Sequence, residues 1–157
     1  FFRLLRDAGV QKVIDIRENR VGQLSGYAKY PDIEFFLKTI GGIGYSHLPL
    51  LAPSPEIRKA YQKGKDWAIY EPAFLALMRQ RGVPERIAAA AFQGTVALLC
   101  SEPGPEKCHR RLVADLLSHH WQSKGHSVEI KHLVSANYVP PKKRRKRSRG
   151  FDGADPQ

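Results

Sequence analysis

The chain has 157 residues, 42% of them hydrophobic and 26% charged, with a formal net charge of +11. That length fits one domain with a real core, and the lack of any apolar run of about 18 residues excludes a membrane-spanning helix. Two cysteines are too few for a disulfide framework, so a reducing, cytoplasmic setting is expected.

In chain order, FFRLLRDAG reads as the end of a helix closed by Gly9. Because the sequence opens inside a helix, a first strand is expected upstream of it. KVIDI (Lys12–Ile16) is a short β-branched strand. DIEFFLKTIGG (Asp32–Gly42) predicts a helix with Asp32 as N-cap, Glu34 in its first turn and paired glycines at its end. YSHLPL (Tyr45–Leu50) is a second strand candidate. PEIRKAYQ, WAIYEPAFLALMRQRG and PERIAAAAFQG follow as helical stretches, in which Tyr61, Trp67 and Tyr70 read as packing residues. TVALLC (Thr95–Cys100) has the near-continuous apolar character of a strand buried on both faces. A helix is expected from Pro105, with Gly104 as N-cap, to about Lys124, and SVEIKHL (Ser127–Leu133) is the last strand candidate.

Strands alternating with helices predict an α/β fold, a Rossmann-like three-layer sandwich with a mainly parallel sheet, over residues 1–137. Residues 138–157 form a separate segment. It follows Pro140-Pro141, lacks apolar periodicity and carries Lys142, Lys143, Arg144, Arg145, Lys146, Arg147 and Arg149. Such a segment is expected to be disordered and to attract nucleic acid or another polyanion by counterion release. Residues 1–141 still carry 19 basic against 13 acidic side chains, about +6, so domain and tail are basic independently.

In open α/β sheets, sites form beyond the carboxyl ends of the strands. Those ends carry Asp15 and Arg17, His47, and Cys100 with Glu102. Cys108, His109 and Arg110 head the following helix, where free N–H groups and the helix dipole favour an anion and lower a thiol pKa. His109 is in phase with Leu112, Val113 and Leu116, so it is expected to face the sheet. Catalytic roles are expected for Cys108, His109, Glu102 and Asp15, and anion binding for Arg17 and Arg110. Cys100 reads more simply as a buried packing residue, Asp15 as a possible hydrogen-bond acceptor and Arg17 as a possible ion-pair partner.

Other chemistries fail on spacing. Counting from Cys100 puts Glu106, not arginine, where a phosphatase loop needs its closing arginine, and counting from Cys108 puts Ala114 there. Two cysteines eight apart without a second pair argue against structural zinc, and no glycine-rich nucleotide motif follows a strand. No metal or cofactor is expected.

The order DIR (Asp15–Arg17), GIGYSHLPLLAPS, LLCSEPGPEKCHRRLVADLL and VEIKHL closely resembles the family catalogued as domain of unknown function 488. Its hallmarks fall on Asp15 and Arg17, on Leu48 and Pro49, on Cys100 and Glu102, and on Cys108, His109 and Arg110. The resemblance covers roughly residues 1–134 and implies a compact α/β domain with a shared polar pocket, but no reaction. Members usually open with a Thr-Ile-Gly-His strand, which this sequence lacks. Three functions fit: an enzyme acting on nucleic acid or a nucleotide, a non-enzymatic nucleic-acid-binding module using the tail, and a small-molecule or thiol-redox domain.

Overall fold

The computed structural model describes residues 1–22 and 26–141. The elements run α1 (Phe2–Asp7), β1 (Lys12–Asp15), α2 (Asp32–Gly41), β2 (Gly44–His47), α3 (Pro55–Gly64), α4 (Trp67–Gln80), β3 (Val96–Leu99) and α5 (His109–Ser123). The three strands form one parallel sheet in the order β2-β1-β3. Asp15 lies level with His47 on one side and Leu99 on the other, so all three strands end at the same edge.

The sheet's two faces are covered by different helices, as the alternation along each strand dictates. Val13, Ala97, Leu99 and Tyr45 pack with Leu5, Ile33 and Leu37 of α1 and α2. Ile14, Ile16, Val96 and Leu98 pack on the other face with Phe74, Met78, Val113 and Leu117 of α4 and α5. Three layers result, and the α/β architecture expected from the sequence is present. Central β1 is buried on both faces. β3 is only half-buried because it is an edge strand. No helix among the described residues is long and apolar enough to cross a membrane.

Helix boundaries follow local chemistry where the residues are special. Gly9 (φ +66°) follows α1, and Gly42 (φ +61°) closes α2 in the left-handed conformation that glycine adopts without a Cβ clash. Ser54 and Asp66 cap α3 and α4 by accepting from the backbone N–H groups of Ile57 and Ala68.

Four expected elements outside the β3–α5 loop differ. Asp32 is the first helical residue of α2 and Pro31 the N-cap. The second strand stops at His47, and the Leu-Pro segment turns instead into a short 3-10 helix, Pro49–Leu51. Arg81 donates to the carbonyls of Leu50 and Ala52, tying that turn to the end of α4. In PERIAAAAFQG only Ala89–Phe92 is helical, as a 3-10 turn. Four successive alanines favour an α-helix, but Val83, Ile87, Ala89 and Phe92 are all drawn into the core and Trp121 donates to the Ile87 carbonyl. Ser127–Leu133 forms no strand. Val128 packs on one face of the sheet and Leu133 on the other, so the segment crosses between the layers rather than running along β3.

Candidate functional site

The expected helix from Pro105 begins only at His109, with Cys108 as N-cap. Cys108 has an extended backbone (φ −135°, ψ 131°), which interrupts any helix entering from Pro105, so Gly104 is not a cap. Residues 101–107 instead form a loop between β3 and α5, and the Tyr138 hydroxyl donates to Glu106 within it. The basic run Lys142–Arg149 lies outside the described residues.

Asp15 and Arg17 sit at the carboxyl end of the central strand and are 0% and 3% exposed. Arg17 donates from Nε to Asp15 Oδ1 (2.8 Å) and from Nη2 to Oδ2 (2.6 Å), and its backbone N–H reaches Oδ1 at 3.1 Å. The Tyr45 hydroxyl adds a bond to Oδ2 at 2.8 Å. Burial by itself raises the Asp15 pKa, but these donors outweigh it and hold the carboxyl below its ordinary value. Burial pushes the Tyr45 phenol up to about 12, and its bond to Asp15 adds to the rise, so it stays a donor. Asp15 therefore has its oxygens filled and fits the hydrogen-bond-acceptor reading better than that of a proton shuttle. Arg17 pairs with it through one edge of the guanidinium. Its remaining nitrogen, Nη1, is buried without a hydrogen-bond partner among the described residues.

His109 faces inward as its helical phase predicts. Its Nε2 lies 3.2 Å from the Ile16 carbonyl, which can only accept, so Nε2 carries the proton. Burial lowers the His109 pKa, partly opposed by Glu102 and by the Ile16 bond, and the ring is neutral with a free lone pair on Nδ1. Nδ1 lies 3.9 Å from Glu102 Oε2, too far for direct bonding and with the wrong polarity, since both atoms are acceptors. A water between them, donating one hydrogen to each, would satisfy both. His47 donates from Nε2 to the Arg17 carbonyl at 2.8 Å, which steadies the loop leaving β1.

The neutral, buried histidine makes stability depend on pH. Above about pH 6.5, the ordinary value for a histidine, the folded and unfolded forms are both unprotonated. As pH falls below that value the unfolded chain takes up a proton that the native ring resists, so stability declines. Urea unfolding at stepped pH should show this decline as pH is taken below about 6.5, and His109→Gln should flatten that part of the profile.

The cysteines are placed differently from the nucleophile reading, which expects an accessible Cys108. Cys108 is fully buried, with its Sγ 2.8 Å from Cys100 Sγ and 3.5 Å from Glu102 Oε2. The hydrogen bond with Cys108, then burial, push the Cys100 thiol upward. Arg110 is also not an open anion ligand. Its Nη1 donates to the Glu102 carbonyl (2.8 Å) and to Cys100 Sγ (3.1 Å), and Nη2 reaches the Pro103 carbonyl at 3.5 Å. It orders the loop carrying Glu102.

Cys100, Glu102 and Cys108 bring three donor atoms within 4.8 Å of one another, a set that spacing alone did not predict. A tetrahedral zinc centre holds thiolate sulfurs about 3.8 Å apart, given bonds of about 2.3 Å. The 2.8 Å Sγ separation does not fit that geometry.

Beyond the strand ends lies a cleft of about 540 Å³, its open mouth included. Arg17, Arg58, Lys107, Glu102 and His109 line it, together with the aromatic residues Tyr61, Trp67 and Tyr70. Trp67 and Tyr70 stack at 4.9 Å, and Tyr61 meets the Trp67 ring edge-on at 5.9 Å. Of the expected site residues, Arg17, Glu102 and His109 come together here. Asp15 supports Arg17 from behind, while Cys108 and Arg110 lie behind the Glu102 loop. Sequence reasoning missed Arg58 and Lys107; Tyr61 and Trp67 pack against the core as expected and also line the cleft. The available signal was weak: Arg58 and Tyr61 share a face of α3 at i, i+3, a spacing equally common on solvated helices.

Comparison with curated proteins and with solved structures yields no match. The family model described as domain of unknown function DUF488 matches residues 1–117, about three quarters of the chain, and the chain belongs to that family.

Proposed function

We propose that the chain is an enzyme whose cleft binds a phosphate-bearing ligand of the nucleotide class, free or within a nucleic-acid strand. The observation that carries this reading is Arg17 Nη1, a buried cationic donor without a partner among the described residues. Leaving such a donor unsatisfied costs about 1–3 kcal/mol, more for a charged group, and an anionic oxygen would remove that cost. The Asp15 fork fixes the guanidinium plane before any ligand arrives, and Lys107 adds positive charge at the same cleft, where Arg58 pairs with Glu18 at 3.5 Å. Tyr61 and Trp67 supply ring faces on which a base can stack.

In this reading His109 Nδ1 is the general base, with its tautomer set by the Ile16 carbonyl, and Glu102 is its acidic neighbour. A water held between them, or a substrate hydroxyl donating to Nδ1 alone, gives up its proton to Nδ1. Asp15 and Arg110 are positioning residues for Arg17 and Glu102, and the cysteines take no part in the proton transfer.

Calorimetric titration with adenosine monophosphate, and separately with a short single-stranded oligonucleotide, tests the binding. Arg58→Ala and Lys107→Ala should each weaken binding by about tenfold without loss of fold, since both side chains reach solvent. Wild-type affinity in both variants would sink the cleft reading.

The seven basic residues within Lys142–Arg149 favour a second contribution, non-specific attraction of nucleic acid to the tail. Deleting 142–149 should reduce oligonucleotide affinity and its salt dependence while leaving mononucleotide binding unchanged.

A further inference from the structure

The thiol pair behind the Glu102 loop is a reactive cluster that the proposed proton chemistry leaves unused. Its sulfurs are 2.8 Å apart, inside the separation of about 3.5–4.0 Å at which even the smaller carbon atoms pack. They are free thiols, joined end to end by the loop that carries Glu102 and Lys107. Cys100 ends the edge strand and Cys108 caps α5 directly before His109. The Cys108 thiol also donates to Glu102 Oε2. A bond between the two sulfurs would therefore remove a donor from the carboxylate that faces His109 and lock the span from β3 to α5.

We propose that Cys100 and Cys108 are a reversible modification site, oxidised by a hydroperoxide to an intramolecular disulfide that resets Glu102. Cys100 meets the oxidant, because it retains 6% exposure whereas Cys108 has none. The Arg110 guanidinium beside it offsets part of the upward push that the Cys108 bond and burial give this thiol. The Cys100 sulfur attacks the O–O bond, takes one oxygen as a sulfenic acid, and the other oxygen leaves as water with the thiol proton. The Cys108 sulfur then displaces that oxygen, which leaves as a second water carrying the Cys108 proton, and the S–S bond forms. In total two thiols give up two electrons and two protons, and one hydrogen peroxide becomes two waters. The effect on ligand binding rests on the proposed cleft reading; the bond itself does not.

The test treats the reduced full chain with hydrogen peroxide, blocks remaining thiols with N-ethylmaleimide after denaturation, and digests with trypsin. Cleavage after Lys107 separates the two cysteines, so the disulfide appears as Cys108-His109-Arg110 joined to the peptide bearing Cys100. The expected result is that linked pair within single chains, released by dithiothreitol. Cys108→Ser should stop at a sulfenic acid on Cys100, trapped by dimedone; if that variant does not fold, the wild-type peptide map decides alone. Full alkylation of both cysteines after peroxide, or a bond found only between chains, would overturn the proposal. So would tight uptake of one zinc ion that shields both thiols from alkylation while no linked peptide forms, which would assign the pair to a metal.

Discussion

Asp15→Ala is expected to lower the unfolding free energy by about 3–5 kcal/mol, the cost of stranding one member of a buried ion pair. Asp15 is fully buried and Arg17 nearly so, and the aspartate accepts from Arg17 Nε, Nη2 and backbone N–H and from Tyr45. Without the carboxylate, a guanidinium remains in the core with most of its donors unpaired. Domains commonly have only about 5–15 kcal/mol of stability, so the variant should unfold at far lower urea. The same pair governs acid behaviour. The Asp15 pKa is held below its ordinary 3.8, so its contribution is complete above that pH and is lost as pH falls through the lower, native value. Urea titrations across that range should show the wild type losing stability that Asp15→Ala never had.

Phe74→Ala should cost a similar amount, about 3–5 kcal/mol, by opening a cavity between the sheet and α5. Phe74 is fully buried, stacks on Tyr70 at 5.9 Å and 8° between planes, and packs against the His109 ring at 5.7 Å. Its loss should therefore do more than destabilise. The His109 ring would gain freedom to leave the Ile16 carbonyl, and its pKa should rise toward the ordinary value as water enters. Chemical unfolding gives the first effect and ring-proton NMR titration the second. An unchanged His109 titration in a well-folded variant would show that Phe74 does not set the ring's environment.

The fold was legible in this sequence wherever burial and local chemistry agree. KVIDI and TVALLC become adjacent parallel strands because their apolar side chains feed both faces of the sheet. The glycines after α1 and α2 mark real helix ends. Legibility failed where a distant partner overrides propensity. The alanine run of PERIAAAAFQG loses its helix to core packing and to Trp121, and the apolar residues of SVEIKHL serve two layers rather than one ladder.

The candidate site divides in the same way. That Arg17, Glu102 and His109 share a cleft follows from strand ends and helical phase, both readable in one dimension. That Asp15 and Arg110 are satisfied by neighbours, and that Cys108 turns onto Cys100, depends on side-chain directions within a loop and carries no sequence period. Arg58 and Lys107 reach the cleft from a solvated helix and a turn, where charged residues are ordinary.

The proposed binding turns on Arg17 Nη1 meeting an anionic oxygen in the cleft. The most direct measurement is ¹⁵N NMR of the arginine guanidinium groups in the full chain during titration with adenosine monophosphate. The Arg17 side-chain resonances should shift saturably, in step with the Trp67 indole N–H. Saturable binding that leaves Arg17 and Trp67 unmoved, with changes confined to the Lys142–Arg149 run, would contradict it.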